Sequence, residues 1–162
     1  MHWYDPHQAH FQQCFSGTPV GGFTIQQDGG LLLFMQDGMI AKLQDGRLTH
    51  VVSGIEDIRG SRFDYVIADP AGRVFCGTMA TESRPGRLYR LDVDGSIEVV
   101  IEDAGLSNGL GFSPGLRHLY HTDSLRRVIN RYDYDAEAGR LAAPILFVDS
   151  NCRSGRSGWA YR

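Results

Sequence analysis

VIADPAGRVFCGTMATESRPGRLYRLDVDGSIEVVI, residues 66–101, switches repeatedly between short apolar runs and turn-forming residues. Its second half, RLYRLDVDGSIEVVI, is two alternating runs around an Asp-Gly pair, a strong local hairpin signal. Two other segments follow the same plan: FTIQQDGGLLLFMQDGMIAKLQDGRLTHVV at 23–52 and LGFSPGLRHLYHTDSLRRVINRYDYDAEAGRLAAPILFV at 110–148. Each reads strand, Gly-containing turn, strand, polar turn, strand, Asp/Gly-type turn, strand. Gln27, Pro70 and Pro114 hold the same place in their repeats, at spacings of 43 and 44 residues. Four short strands at that period are the mark of a β-propeller blade. A β-sandwich also uses many short strands, but nothing in it demands so regular a period. No stretch predicts a helix of three or more turns.

The expected architecture is therefore all-β, with about three and a half blades of a propeller. Residues 3–15, WYDPHQAHFQQCF, look like the outer half of a blade; compare RYDYDAEAGRLAAPILF at 131–147. Residues 1–149 are expected to form an incomplete propeller domain and 150–162 an atypical tail. Open blade edges expose unpaired backbone groups and invite pairing with another copy.

The 162 residues are 42% hydrophobic with net charge −3, enough for a real core and too neutral to call for a nucleic-acid or membrane partner. Three cysteines without a CxxC argue against a disulfide framework or a zinc knot, and fit a reducing, cytoplasmic setting. No apolar run approaches the roughly 20 residues of a membrane span, and no secretory leader is visible.

In a propeller, residues at one repeat position meet at one mouth of the central channel. Counting six back from Gln27, Pro70 and Pro114 gives Gly21, Asp64 and Asn108. Asp64 and Asn108 both offer oxygen. A carboxylate and an amide carbonyl converging there suit a hard divalent cation such as calcium. Each also has a plainer reading: Asn108 as an ordinary Asn-Gly turn former, Asp64 as a strand-initial surface carboxylate.

SRFDYVIADPAGRVFCGTMA (61–80) and GLSNGLGFSP (105–114) also resemble the senescence-marker-protein/gluconolactonase/luciferin-regenerating-enzyme family, and the likeness runs from about residue 3 to 149. The resemblance implies a six-bladed propeller and a metal-dependent hydrolase of a sugar lactone, with calcium or zinc in the channel. It assigns Asn108 as metal ligand, Arg62 and Glu82 as substrate contacts, and Asp64 to the position near both metal and substrate. Two departures stand out. Asp64 replaces an asparagine, losing amide donors and gaining a charge, so it should hold a cation more tightly and substrate hydroxyls less well. Tyr65 replaces a small acid, which is expected to disturb the local turn. Plain solvated charge is the competing reading for Arg62 and Glu82.

Two acids that the resemblance calls for are missing from this sequence: a metal-binding glutamate ahead of His2, and the Pro-Asp-Gly aspartate that serves as ligand and general base. The latter belongs about seven residues past Asp149, where the chain reads SNCRSGRSGWAYR. One choice of codons for Ser157–Arg162, read one base later, spells Pro-Asp-Gly-Leu-Thr, so the tail is expected to be translated out of frame. No GxSxG elbow offers a serine nucleophile, and the six histidines form no HExxH. His118 and His121, three apart on one strand, face opposite ways and are expected to be surface or core residues. The sequence thus leaves two functions open: a lactonase impaired by its missing acids, or a non-catalytic propeller remnant or binding module that keeps part of a cation site.

Overall fold

A computed structural model describes residues 1–151, and in it the chain is built almost wholly of antiparallel sheet; residues 152–162, on which the out-of-frame reading falls, lie outside the described residues. The only helical element among the described residues is a single 3-10 turn at Glu56–Ile58. None of those residues forms a helix long and apolar enough to cross a membrane. The chain divides into two compact units, Met1–Arg62 and Phe63–Arg162.

The first unit opens with the hairpin β1 (His2–Asp5) and β2 (His10–Gln13), where Tyr4 and Phe11 pair across the strands with ring centroids 4.6 Å apart. A four-stranded sheet follows in sequence order: β3 (Val20–Ile25), β4 (Leu31–Met35), β5 (Ile40–Gln44) and β6 (Arg47–Val52). The run LLLFM of β4 is apolar at every position because this central strand is covered on both faces. Leu33, Met35, Ala41 and Leu43 form its buried cluster, with Met1, Phe15 and Val20 packed against it. Asp45 and Gly46 join β5 to β6 with φ of 51° and 74°, the two left-handed residues that a tight hairpin requires. The segment after β6 is tied back to the β4–β5 turn: Asp37 N–H donates to Ser61 O at 2.9 Å, and Gln36 bridges Arg62.

The second unit holds two sheets. One runs β7 (Phe63–Ala68), β8 (Val74–Thr78), β9 (Gly86–Leu91), β10 (Ile97–Gly105). The other runs β11 (Ser107–Phe112), β12 (His118–Asp123) and β13 (Val128–Asp135), with a two-residue strand β14 (Arg140–Leu141) and the outer strand β15 (Ile145–Asp149) both pairing β13. A shared core of Phe75, Leu88, Ala104, Leu110, Leu119, Tyr132 and Tyr134 seals the sheets together. β12 shows how alternation sorts residues: Leu119, His121 and Asp123 are buried while His118, Tyr120 and Thr122 are half-buried.

The repeat expected from the sequence is visible in the turns. Gln26 N–H donates to Gly30 O at 2.8 Å and Asp69 N–H to Arg73 O at 2.9 Å, and Ser113 N–H closes a one-residue-longer version on His118 O at 2.9 Å. Gln27, Pro70 and Pro114 are the second residues of these three turns. The first strand of each of the three larger sheets, however, starts at 20, 63 and 107, three residues ahead of the segment starts read from the sequence. The added residues include Gly21, Gly22, Asp64, Asn108 and Gly109, types with low strand preference that hid the start.

Candidate functional site

These hidden starts contain the candidate residues. The β3–β4 ladder skips between Val20 and Gly22, the β7–β8 ladder between Phe63 and Tyr65, and the β11–β12 ladder between Ser107 and Gly109. The unpaired residues are Gly21, Asp64 and Asn108, the same three obtained by counting back from the turns. Each is the extra residue of a β-bulge, a device that frees a side chain from the ladder and re-aims it. In the second unit β7 and β11 pack side by side, so two of these bulges lie on neighbouring strands.

Asp64 is half-buried and Asn108 exposed. Asn108 Nδ2 donates to Ser124 Oγ at 3.0 Å, leaving Oδ1 without a partner among the described residues. Tyr65 does not disturb the chain as expected. It continues β7 opposite Gly77 and is 41% exposed. Glu82 sits exposed in the β8–β9 connection, where Arg84 N–H donates to Thr81 Oγ1 at 3.1 Å; no hydrogen bond or ion pair joins it to Asp64 or Asn108. Arg62 closes the first unit and is exposed. The structure thus brings Asp64 and Asn108 onto adjoining strands and leaves Arg62 and Glu82 as sequence-based assignments. A cavity of ≈ 490 Å³ in the first unit, between Met1, Phe15, Pro19 and Gly21–Phe23, is lined by none of the four; the bulge residue there is a glycine and offers no donor.

Behind Asn108 lies a group of buried polar residues that the sequence did not reveal. Ser107 and His121 are fully buried, with Oγ and Nε2 2.8 Å apart. His121 Nδ1 has no partner among the described residues. Burial pushes this imidazole below its ordinary value; the charge of Asp123 opposes the shift and that of Arg126 adds to it. Asp123, 1% exposed, accepts from Leu106 N at 3.3 Å, Leu125 N at 3.0 Å, Arg126 N at 3.1 Å and the Arg126 guanidinium at 2.7 Å. Burial pushes its carboxyl up, but these donors outweigh it and hold the group below the usual carboxylate value. The strict alternation of HLYHTD was the available signal, since it places His121 and Asp123 on the face of Leu119.

Among the described residues no cluster of three or more His, Cys, Asp or Glu side chains could hold a metal. Asp64 and Asn108 do fit part of a shell: a carboxylate and a free amide oxygen are hard donors of the kind calcium takes, though calcium takes six to eight.

Residues 1–157 match the family described as SMP-30/Gluconolactonase/LRE-like region. The chain belongs to that family. It is 40% identical over 158 residues to the pentonolactonase XacC of Haloferax volcanii, covering 93% of this chain and 51% of that protein. It is 29% identical over 147 residues to regucalcin of Homo sapiens, covering 86% of this chain and 49% of that protein. The chain thus spans about half the length of the curated relatives it matches. Among solved structures, a luciferin-regenerating enzyme superposes with TM-score 0.82 at 24% identity, over 98% of this chain and 56% of that one. A regucalcin from Agrobacterium tumefaciens, titled a calcium-binding protein, superposes with TM-score 0.80 at 22% identity, over 98% and 54%. At these identities the two structures speak to fold alone, and they assign the sheets to the propeller type of this family.

Proposed function

We propose that the chain contributes to hydrolysis of a sugar lactone, with Asp64 and Asn108 supplying part of a divalent-cation site inside a six-bladed ring. The observation that carries this reading is the pair of bulges on neighbouring strands, each freeing one oxygen donor at equivalent positions. When bound, the cation would polarise the lactone carbonyl and acidify a water. Asp64 contributes a full negative charge in place of the amide that the family resemblance expects. Asn108 contributes its carbonyl end while its amino end is engaged by Ser124. Arg62 and Glu82 orient the hydroxyls of the sugar lactone. The 40% identity to a pentonolactonase favours a five-carbon aldonolactone.

None of Arg62, Asp64, Glu82 and Asn108 takes the role of general base in this reading. A positioned base is worth about 10²–10⁴ in rate, so turnover by these residues is expected to fall short of a complete site by about that factor. The test is hydrolysis of a pentonolactone and of glucono-1,5-lactone, followed by acid release with calcium, zinc or manganese and then with EDTA. Cation-dependent hydrolysis that EDTA removes and Asp64→Ala abolishes is the expected result. Hydrolysis no faster than buffer with every cation, together with no calcium binding, overturns the reading.

A further inference from the structure

The amide of Asn108 has a donor end and an acceptor end, and only the oxygen can ligate a cation. Which end faces outward is therefore decisive, and Asn108 is exposed, with no packing to choose for it. Ser124 Oγ accepts from Nδ2 at 3.0 Å, the arrangement in which the amide oxygen is left free. The main chain at Ser124 is held in turn, because its N–H donates to Leu106 O at 3.0 Å. The same short stretch of chain is held at every residue. Gly105 has φ +61° and lies so close to Asp123 that a Cβ there would sit 2.1 Å from Oδ2. Leu106 N–H is bonded to Asp123, and Ser107 Oγ to buried His121. Residues 105–108 are thus clamped by the end of β12 and the turn that follows it.

We propose that Ser124 is a positioning residue for the cation site: it takes the amino end of Asn108 and so presents the amide oxygen for ligation. The Asp123 and His121 contacts hold the two strand ends in the register this needs. The inference rests on the reading of Asn108 as a ligand, and it adds a residue that touches neither cation nor substrate. A hydroxyl at 124 supplies the lone pair that Nδ2 requires; an alanine supplies none and frees the amide to turn.

The test uses the full chain, with calcium alone as the probe, and compares wild type, Ser124→Ala and Ser124→Thr. Partners that orient a metal ligand typically cost about 10–100-fold in affinity when removed. Ser124→Ala is expected to weaken calcium binding by about 10-fold, at the low end because the contact is exposed. Ser124→Thr, which keeps the hydroxyl, restores it. Equal affinity in wild type and Ser124→Ala overturns the proposal, as does a loss that threonine does not rescue. A second measurement separates this from failure of the cation reading: the side-chain amide signals of Asn108 by NMR without metal. If wild type binds no calcium, the ligand role of Asn108 fails. The clamp then survives only if those signals are distinct from free amide in wild type and Ser124→Thr and collapse toward it in Ser124→Ala. Unchanged signals in Ser124→Ala overturn the clamp too.

Discussion

Substituting Arg73 by methionine should cost the second unit a large part of its stability. The side chain is only 10% exposed and its partner carboxylate Asp69 only 1%. Its Nε donates to Asp69 Oδ2 at 2.6 Å, one terminal nitrogen to Glu137 O at 3.0 Å, and the other to Tyr134 OH at 3.2 Å and Ala136 O at 2.5 Å. Tyr134 OH in turn donates to Asp69 at 2.5 Å. One guanidinium therefore ties the β7–β8 turn to the turn after β13. Methionine keeps most of the volume but leaves a buried carboxylate facing one hydroxyl and one backbone N–H, and it strips two carbonyls of their donors. Breaking a buried pair from one side costs about 3–5 kcal/mol. With a urea m-value of about 1.5 kcal/mol per M, about 4 kcal/mol moves the midpoint down by roughly 2.5 M. The readout should report this unit alone. Cys76 does so: it lies in β8, is fully buried, and burial pushes its thiol up, so it labels only on opening. Cys14, half-buried in the other unit, serves as internal control. The double variant Asp69→Asn with Arg73→Met should lose much less than the sum of the single losses, because no orphan charge remains. A single-variant loss under about 1 kcal/mol, or strict additivity in the double, would refute the coupling.

Two further outcomes follow from the same core. Asp69 and Asp123 are both held below the ordinary carboxylate value, the first by Tyr134 and Arg73 against the opposing pull of burial. Their contribution is fully present above the unfolded carboxylate value and is lost as pH falls through the lowered folded values. His121 is also depressed, so the unfolded chain takes up its proton first, and stability begins to fall below about pH 6.5. Cys76 protection measured against pH should therefore decline in two stages, and His121→Gln should flatten the first; an unchanged slope above pH 5 sinks this assignment. Gly77→Ala places a Cβ 2.3 Å from Ser107 Cβ, between the buried strand β8 and β11, whereas Gly111→Ala meets nothing within 4 Å. The first should cost about 1–3 kcal/mol and the second close to nothing, as read by the urea midpoint; equal effects would show that the close approach of β8 to β11 is misplaced.

The sequence carried the blade repeat because turn chemistry is local. The Gln26, Asp69 and Ser113 turns close over four or five residues, and the Asp-Gly pair at 45–46 announces its own hairpin. Strand starts were illegible for the opposite reason: a bulge wants an extra residue with little strand preference, which reads as loop. The bulge positions of Asp64 and Asn108 could still be located, since the bulge recurs at a fixed distance from a legible turn. Ser124, His121 and Asp123 could not be assigned partners. Their contacts with Leu106, Ser107 and Asn108 span 14 to 17 residues across a hairpin, and nothing in one sequence says which polar group at one strand meets which at the other.

The three bulges separate what the backbone prepares from what the side chain decides. Gly21, Asp64 and Asn108 occupy one local geometry in three sheets, yet the first offers no donor, the second a charge and the third a neutral oxygen. Exchanging residue types there alters chemistry while the ladder on either side stays paired, as Tyr65 and Gly77 remain paired beside Asp64. That is why an aspartate at 64 is read as a change in charge at the cation rather than as damage to the fold. It is also why the clamp on Asn108 matters more than its strand: the bulge releases the side chain from the ladder, and a released amide needs a partner of its own to choose which end it presents.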